Sequence, residues 1–187
     1  MKNIINIFGS SGSGSTTLAR EIAIKYGYYH IDVDDALWED TDPPFSKRRD
    51  DEEARKHILE EIKKDENIVI SGSLVSLGDD IKHLIKLFVF INLDIDVRIK
   101  RIEHRERMRF GKRVLEGGDL YQKHLDFLEW VSNYETNPEY IRSRKQHLLW
   151  LNDVNVPVLK VTEELSIEEL LTLVKPFVKK DRRLKIV

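Results

Sequence analysis

A glycine- and serine-rich segment at residues 9–16 (GSSGSGST) restricts the possible folds of this chain more than any other part of it. It follows the apolar run 4–8, which predicts a short buried strand, and it leads into a helical pattern over about residues 16–26. A strand, a glycine turn and a helix in this order present successive backbone N–H groups at a helix N-terminus, where phosphate binds. We therefore predict a phosphate-binding loop here; the alternative is a merely flexible connection.

The rest of the chain alternates short apolar runs with segments of helical period, and no Pro-, Gly- or Ser-rich linker divides it. Such runs are typical of parallel strands covered on both faces, so the pattern predicts an α/β fold with right-handed crossovers. We predict one domain over residues 1–187. Its further strands are expected at residues 28–33, 68–70, 87–93 and 158–161. Its helices are expected at about residues 16–26, 49–64, 79–85, 94–110, 119–134 and 137–151, with a final helix that begins at Ser166.

The composition excludes several classes of protein. A chain without cysteine has no disulfide framework, thiolate nucleophile or cysteine-ligated zinc, which agrees with a reducing cytoplasm. The net charge of −2 argues against a general nucleic-acid binder, which is normally basic over its whole domain. The first residues are too polar for a signal peptide, and no apolar run reaches the roughly 18 residues of a membrane span. We therefore expect a cytoplasmic protein with neither a membrane nor a nucleic acid as its partner.

The phosphate loop, residues 9–16, fits the pattern G-x-x-x-x-G-K-[ST] at every position except the lysine, which is Ser15. Thr16 supplies the hydroxyl that such loops offer to Mg²⁺. The predicted nucleotide-binding residues are Gly9, Ser11, Gly12, Ser13, Gly14, Ser15, Thr16 and Thr17. The missing ammonium normally neutralises the β- and γ-phosphates. Either another cation replaces it, or the protein binds nucleotide without turning it over well.

Three carboxylates gather after the second predicted strand, at Asp32, Asp34 and Asp35. In an extended backbone Asp32 and Asp34 lie on the same side. A carboxylate pair beside a phosphate site can hold Mg²⁺ and accept the proton of a hydroxyl group. The alternative is that Asp34 or Asp35 caps a helical turn, and for Asp35 alone we favour capping.

The segment 98–113 holds eight basic residues against two acidic ones. Four of the basic residues follow one another at steps of three and four, so they share one helix face: Arg98, Arg101, Arg105 and Arg109. Nearby glycines can act as hinges, and we predict a lid over about residues 105–120. Our hypothesis is that Arg105 and Arg109 close over the nucleotide and supply the charge that Ser15 lacks. The alternative is a surface helix whose arginines pair with neighbouring glutamates.

With a phosphate loop, a pair of carboxylates and an arginine-rich helix in this order, the chain resembles the P-loop nucleoside, nucleotide and small-metabolite kinases of the adenylate-kinase-like group. The motif Asp32-Val33-Asp34 is similar to the D-x-D of shikimate and gluconate kinases. The resemblance implies a three-layer fold with a five-stranded parallel sheet and a helical lid. It also implies transfer of the ATP γ-phosphate to a small acceptor with Mg²⁺. Thr16 and Asp32 are then expected at the magnesium ion, and Asp34 on the acceptor hydroxyl.

The motifs that identify the acceptor in related kinases are absent. The D-G-F-P-R, D-R-[YH] and triple-glycine signatures are missing, and the third strand is followed by Ser71-Gly72-Ser73-Leu74 instead. The candidate acceptor-binding residues are Asp34, Trp38, Arg48, Ser71, Gly72 and Arg142. Trp38 can equally fix its loop to the core, and for Arg48 we favour pairing with neighbouring acids.

Two hypotheses from different classes follow. The first is a small-molecule kinase that binds ATP and Mg²⁺ and acts on a nucleoside, nucleotide or metabolite. The second is a nucleotide-binding regulatory or sensor protein with weak or no phosphotransfer, which the serine at position 15 favours. A third, less favoured, is a nucleic-acid-associated ATPase that uses the helix at residues 98–113 and residues 179–185 of the basic tail (179–187), but no aromatic stacking platform accompanies these charges. The oligomeric state stays open.

Overall fold

A computed structural model describes residues 2–179 of the chain. Five parallel strands form one sheet in the order β2-β3-β1-β4-β5. The strands are β1 (Asn3–Gly9), β2 (Tyr29–Asp32), β3 (Asn67–Ser71), β4 (Leu87–Ile91) and β5 (Val158–Val161). This confirms the α/β fold class and the five-stranded parallel sheet.

Eight α-helices accompany the sheet within residues 2–179. They are α1 (Ser15–Tyr26), α2 (Val33–Leu37), α3 (Asp51–Lys63), α4 (Asp79–Leu84), α5 (Ile95–Phe110), α6 (Tyr121–Ser132), α7 (Arg144–Trp150) and α8 (Ile167–Val174). Two 3₁₀ turns follow α5 and α8, at Gly111–Val114 and Lys175–Phe177. Most of the predicted basic tail, from residue 180 onward, lies outside the described residues. No helix in the described range is both long and apolar enough to cross a membrane.

The core consists of two layers, one on each face of the sheet. Ile4 and Phe8 of β1 point to one face and pack with α3 and α4, whereas Ile5 and Ile7 point to the other and pack with α1 and α8. The alternation follows from the two-residue period of a strand. Because both faces are covered, the strands are continuously apolar, and their carboxyl ends form the edge where a ligand can bind.

Several helix termini follow side-chain signals in the sequence. Asp94 accepts a hydrogen bond from the Asp96 N–H at 2.8 Å and begins α5, as predicted. Ser166 and Glu169 form the capping box that begins α8. The helix expected from residue 119 begins at Tyr121 instead: α6 has no side-chain cap, and the Asp119 carboxylate binds Arg113.

The predicted helix over residues 137–151 is also wrong in its first half. Asn137 and the following residues form turns, and α7 begins only after Ser143, whose hydroxyl accepts a hydrogen bond from the Gln146 N–H at 3.3 Å. Both Asn137 and Ser143 are residue types that bond to their own backbone. In this chain the Ser143 cap, which is almost fully buried, begins the helix.

Candidate active site

The phosphate loop joins the carboxyl end of β1 to α1, as predicted. Gly12 and Gly14 have φ angles of 82° and 94°, in the left-handed region that glycine adopts without steric cost. Gly14 is the N-cap of α1, so the free N–H groups of the first helical turn lie next to the loop. Free N–H groups at a helix N-terminus can bind an anion.

Two glycines are required by close contacts rather than by φ alone. A Cβ added at Gly9 would lie 1.9 Å from the Ile91 carbonyl oxygen, at the end of β4. A Cβ added at Gly12 would lie 2.7 Å from the Arg98 carbonyl oxygen in α5. The loop is therefore held directly against β4 and α5. Any side chain at either position must push backbone aside.

The loop also contains polar groups without partners in the described part of the chain. The hydroxyl groups of Ser10 and Ser13 are buried, and neither makes a hydrogen bond to any residue between 2 and 179. Buried hydroxyls are normally satisfied, so two such groups in one loop indicate a place where a polar ligand or water completes the bonding. Phosphate oxygens are suitable acceptors for both.

Two arginines of α5 lie against the phosphate loop, and they are not the two that we selected from the sequence. Arg98 contacts Gly12 through its backbone. The Nη1 atom of Arg101 lies 3.5 Å from the Ser13 carbonyl oxygen, and its Nη2 atom pairs with Glu164 at 2.6 Å. The spacing of four arginines along one helix face predicted the cationic face. It did not indicate that Arg98 and Arg101, at the N-terminal end of α5, would be the two that contact the loop.

Arg105 and Arg109 lie further along α5. The exposed Arg105 pairs with Glu106 at 3.7 Å, and the Arg109 guanidinium lies 5.6 Å from the centre of the Phe45 ring. Among the residues described, no contact joins either arginine to the phosphate loop in this arrangement. Closure of these two residues over a nucleotide stays a prediction.

The lid region contacts the acidic segment that follows α2. Arg113 bridges Asp42 at 2.9 Å and Asp119 at 2.8 Å. Lys123 donates a hydrogen bond to the Ser46 hydroxyl at 3.1 Å. The 3₁₀ turn after α5 and helix α6 are therefore each joined to the segment that follows α2.

Asp32 and Asp34 do not lie together on an extended strand, because the chain turns into α2 at Val33. The side chain of Asp32 caps this helix and accepts the Asp34 N–H at 3.1 Å. The capping role that we favoured for Asp35 therefore belongs to Asp32. Burial is the main cause that raises the pKa of the Asp32 carboxyl, and the neighbouring charge of Asp34 adds to it.

Asp34 faces Arg142 across the site. Its carboxylate lies 3.4 Å from the Arg142 Nη1 atom, although the two residues are 108 positions apart. Half of the Asp34 side chain is exposed, so the carboxylate is open to a ligand as well. The pair brings together two of the predicted acceptor-binding residues.

The remaining acceptor candidates have structural contacts of their own. Arg48 pairs with Asp51 at 2.5 Å, in agreement with the expected pairing of Arg48 with neighbouring acids. Trp38 stacks edge-on against Phe45 at 5.9 Å between ring centres. Gly72, with φ 103°, follows Ser71 at the end of β3, and a Cβ there would lie 2.9 Å from the Val33 Cβ. Ser71 is fully buried, and its hydroxyl lies 2.9 Å from His30 Nε2.

The donor set predicted for magnesium is small. Thr16 and Asp32 offer one hydroxyl and one carboxylate, and no group of three or more His, Asp or Glu side chains in residues 2–179 is arranged to hold a metal. Mg²⁺ at phosphoryl-transfer sites usually takes one or two protein ligands, with phosphate oxygens and water completing the octahedron. The residues present fit a magnesium ion that arrives with the nucleotide.

Comparisons with known proteins agree with this geometry. The chain matches the shikimate kinase family over residues 11–148, a range that includes most of the phosphate loop, the Asp34–Arg142 pair and α5. It is 36% identical over 169 residues to the uncharacterized protein YqaC of Bacillus subtilis (strain 168), a match that covers 90% of this chain and 93% of YqaC.

Two solved structures share the fold. One is an uncharacterized protein from Eubacterium ventriosum ATCC 27560, with a TM-score of 0.54 and 14% identity over 94% of this chain and 98% of that one. The other is a sugar kinase from Janibacter sp. HTCC2649, with a TM-score of 0.53 and 13% identity over 95% of this chain and 94% of that one. At these identities the structures show the fold alone. The family match, which covers more than half of the sequence, shows that the chain belongs to the shikimate kinase family.

Proposed function

We propose that this protein is a kinase that transfers the γ-phosphoryl group of ATP to a hydroxyl group of a small acceptor, with Mg²⁺. The observation that carries the proposal is the position of the Asp34–Arg142 pair at the same edge of the sheet as the phosphate loop. This edge is where ligands bind in open α/β sheets. Membership of a kinase family supports the same reaction.

Phosphoryl transfer depends mainly on positioning and on neutralising charge. In this proposal the N–H groups of the phosphate loop bind the nucleotide phosphates, and Thr16 and Asp32 hold the magnesium ion. A bound magnesium ion would neutralise phosphate charge and orient the transferred group. The half-exposed Asp34 carboxylate accepts the proton of the attacking hydroxyl.

The same pair suggests the class of acceptor. Arg142 is held by Asp34 at 3.4 Å, a long contact that an anionic ligand can replace. A small molecule that carries both a hydroxyl and an acidic group would occupy the two side chains together. We therefore place polyhydroxylated acids ahead of neutral nucleosides as acceptors.

Nucleotide binding is tested by thermal denaturation with Mg²⁺ and ATP. A ligand that binds only the folded state stabilises it by about 2.7 kcal/mol at a hundredfold excess over Kd, which corresponds to a shift of several degrees. ADP release is then measured with a panel of sugar-type acids, nucleosides and nucleoside monophosphates. No shift at millimolar ATP would reject both an ATP-dependent kinase and an ATP-binding sensor.

A second candidate function is favoured by one observation, the serine at position 15. We propose as the alternative a nucleotide-binding sensor that transfers phosphate slowly or not at all. Both functions predict the thermal shift with ATP. Turnover with any acceptor in the panel supports the kinase, whereas binding without turnover across the whole panel supports the sensor.

Replacing Asp34 by Asn is expected to lower kcat by about 100-fold, because the amide no longer accepts the hydroxyl proton. The Kd for ATP should stay within about twofold, since Asp34 lies on the acceptor side of the site. The measurement is steady-state ADP release with the acceptor found in the panel. Asp35→Asn is the matched control, because Asp35 is an adjacent exposed carboxylate in the same helix. Equal kcat values for the two variants would remove Asp34 from the reaction.

A further inference from the structure

Arg98 is the largest side chain in the described structure that is fully buried. Its Nε atom donates a hydrogen bond to the Leu93 carbonyl oxygen at 3.0 Å. Its Nη1 and Nη2 atoms make no hydrogen bond to any residue between 2 and 179. Four N–H donors of one guanidinium therefore stay unsatisfied by the protein itself.

The positive charge of Arg98 also has no partner of opposite charge close to it in the described structure. Within the described range no carboxylate lies at ion-pair distance from Arg98. Besides the hydrogen bond to Leu93, its guanidinium lies over the Tyr134 ring, 5.3 Å from the ring centre. Asp94 and Glu135 act on it only as more distant charges, and burial lowers the pKa of the guanidinium. A buried charge without a partner is costly, so its retention points to an anion that the protein chain does not supply.

The phosphate loop lies directly against this arginine. A Cβ at Gly12 would be 2.7 Å from the Arg98 carbonyl oxygen and 3.1 Å from its Cα and Cβ atoms. The unpartnered hydroxyls of Ser10 and Ser13 belong to the same loop. Unsatisfied groups thus occur both in the loop and in the residue that supports it, as expected where a bound anion accepts from the loop and balances the buried charge behind it.

We infer that Arg98 supplies, from behind the phosphate loop, the fixed positive charge for the nucleotide phosphates that the lysine provides in loops of this type. The inference rests on the proposed nucleotide binding and adds the residue that replaces the ammonium. A charge in the low-dielectric interior acts over several ångströms without direct contact. The loop can therefore have serine at position 15, because Arg98 of α5 supplies the positive charge that the loop lacks.

The other arginines of α5 are less suited to this role. Arg101 is engaged with Glu164 at 2.6 Å, and Arg105 is exposed beside Glu106. Both charges are screened by water and a carboxylate, whereas that of Arg98 is not. The burial of Arg98 also fixes its position before the nucleotide binds, so no side-chain entropy is lost on binding.

The first test compares Arg98→Met with Lys100→Met, an exposed lysine of the same helix. We expect Arg98→Met to raise the Kd of ATP by about 10- to 100-fold, the usual cost of losing a charged partner. The effect should be smaller for ADP and close to absent for AMP, because the charge acts on the terminal phosphates. Lys100→Met should bind all three nucleotides as the wild type does.

The second test is rescue. Ser15→Lys introduced into Arg98→Met should restore most of the lost ATP affinity, since it returns one positive charge to the same phosphates. A purely structural role of Arg98 would not be rescued by a lysine in the loop. Urea unfolding of each variant shows which of them are folded.

A third comparison holds even if Arg98→Met does not fold. Arg98→Gln keeps a polar side chain and removes the charge, so it should also raise the Kd of ATP by about 10- to 100-fold. ATP binding by folded Arg98→Gln that is as tight as in the wild type would overturn the inference. Unchanged ATP binding by folded Arg98→Met would also overturn it, and a raised acceptor KM in that variant would assign the charge to the acceptor. Failure of the wild type to bind ATP at all would instead reject the proposed function and the inference with it.

Discussion

Gly12→Ala is expected to destabilise the protein by about 2–5 kcal/mol, and Gly117→Ala by only about 1–2 kcal/mol. Both glycines have a φ angle of 82°, so an added Cβ introduces the same backbone strain at each position. They differ in their surroundings. A Cβ at Gly12 meets the Arg98 carbonyl oxygen at 2.7 Å, whereas a Cβ at Gly117 meets nothing within 4 Å. The difference between the two variants therefore isolates the packing of the phosphate loop on α5.

Equilibrium urea unfolding measures both values, and isothermal titration with ATP measures the functional consequence. Folded Gly12→Ala should bind ATP at least about tenfold more weakly, because the loop must move away from α5 to accommodate the methyl group. Gly117→Ala should bind ATP as the wild type does, since residue 117 is exposed in the lid region. Equal losses of stability in the two variants would mean that the loop is not held against Arg98.

The fold was predictable because its signals are local. A continuous apolar run gives a strand, and Asp94 and Ser166 cap the helices that follow them, so most element boundaries agree within a few residues. The errors arose where two local signals compete. Asp34 and Asp35 are cap residue types that we considered, but the chain turns into α2 at Val33, so the cap is the preceding Asp32. Asn137 and Ser143 can each begin a helix, and in the structure the Ser143 hydroxyl caps α7, whereas Asn137 lies in a turn.

The candidate site was predictable only as far as its residues are neighbours in the sequence. The phosphate loop is contiguous, and its glycines, hydroxyls and missing lysine are visible in the sequence alone. The Asp34–Arg142 contact joins residues 108 positions apart, so Arg142 could be a candidate but not a partner. The role that we infer for Arg98 depends on which turn of α5 contacts Gly12. The spacing of arginines in the sequence does not indicate which turn this is.

Lowering the pH is expected to destabilise the protein through His147, which lies behind the acceptor side of the site. His147 is almost fully buried between the Tyr134 hydroxyl, 2.8 Å from Nδ1, and the Ser73 hydroxyl, 2.9 Å from Nε2. Burial is the main cause that lowers the pKa of His147 from 6.5 to about 3, and the charge of Arg142 contributes. The imidazole is therefore neutral in the folded protein near neutral pH.

The unfolded chain binds a proton at His147 below pH 6.5, whereas the folded protein does so only near pH 3. The free energy of unfolding should consequently fall as the pH decreases through this interval. The slope from this one residue approaches about 1.4 kcal/mol per pH unit, which amounts to about 3 kcal/mol between pH 6.5 and 4. Above pH 6.5 the contribution is constant.

The measurement is urea unfolding of the wild type and of His147→Gln at a series of pH values. Comparing the two proteins separates the contribution of His147 from that of the carboxylates, which titrate in both. The glutamine variant should be less stable at pH 7, since it loses hydrogen bonds with Tyr134 and Ser73, but its stability should fall less steeply in acid. His83→Gln, at an exposed position of α4, should reproduce the steep wild-type slope. Parallel pH profiles for wild type and His147→Gln would show that His147 is not held neutral by the fold. His147 contacts Ser73, which follows β3, and lies near Arg142, the partner of Asp34. Protonation of His147 is therefore expected to destabilise the acceptor-binding residues before the rest of the sheet. As the pH is lowered, the acceptor KM should rise before ATP binding is lost.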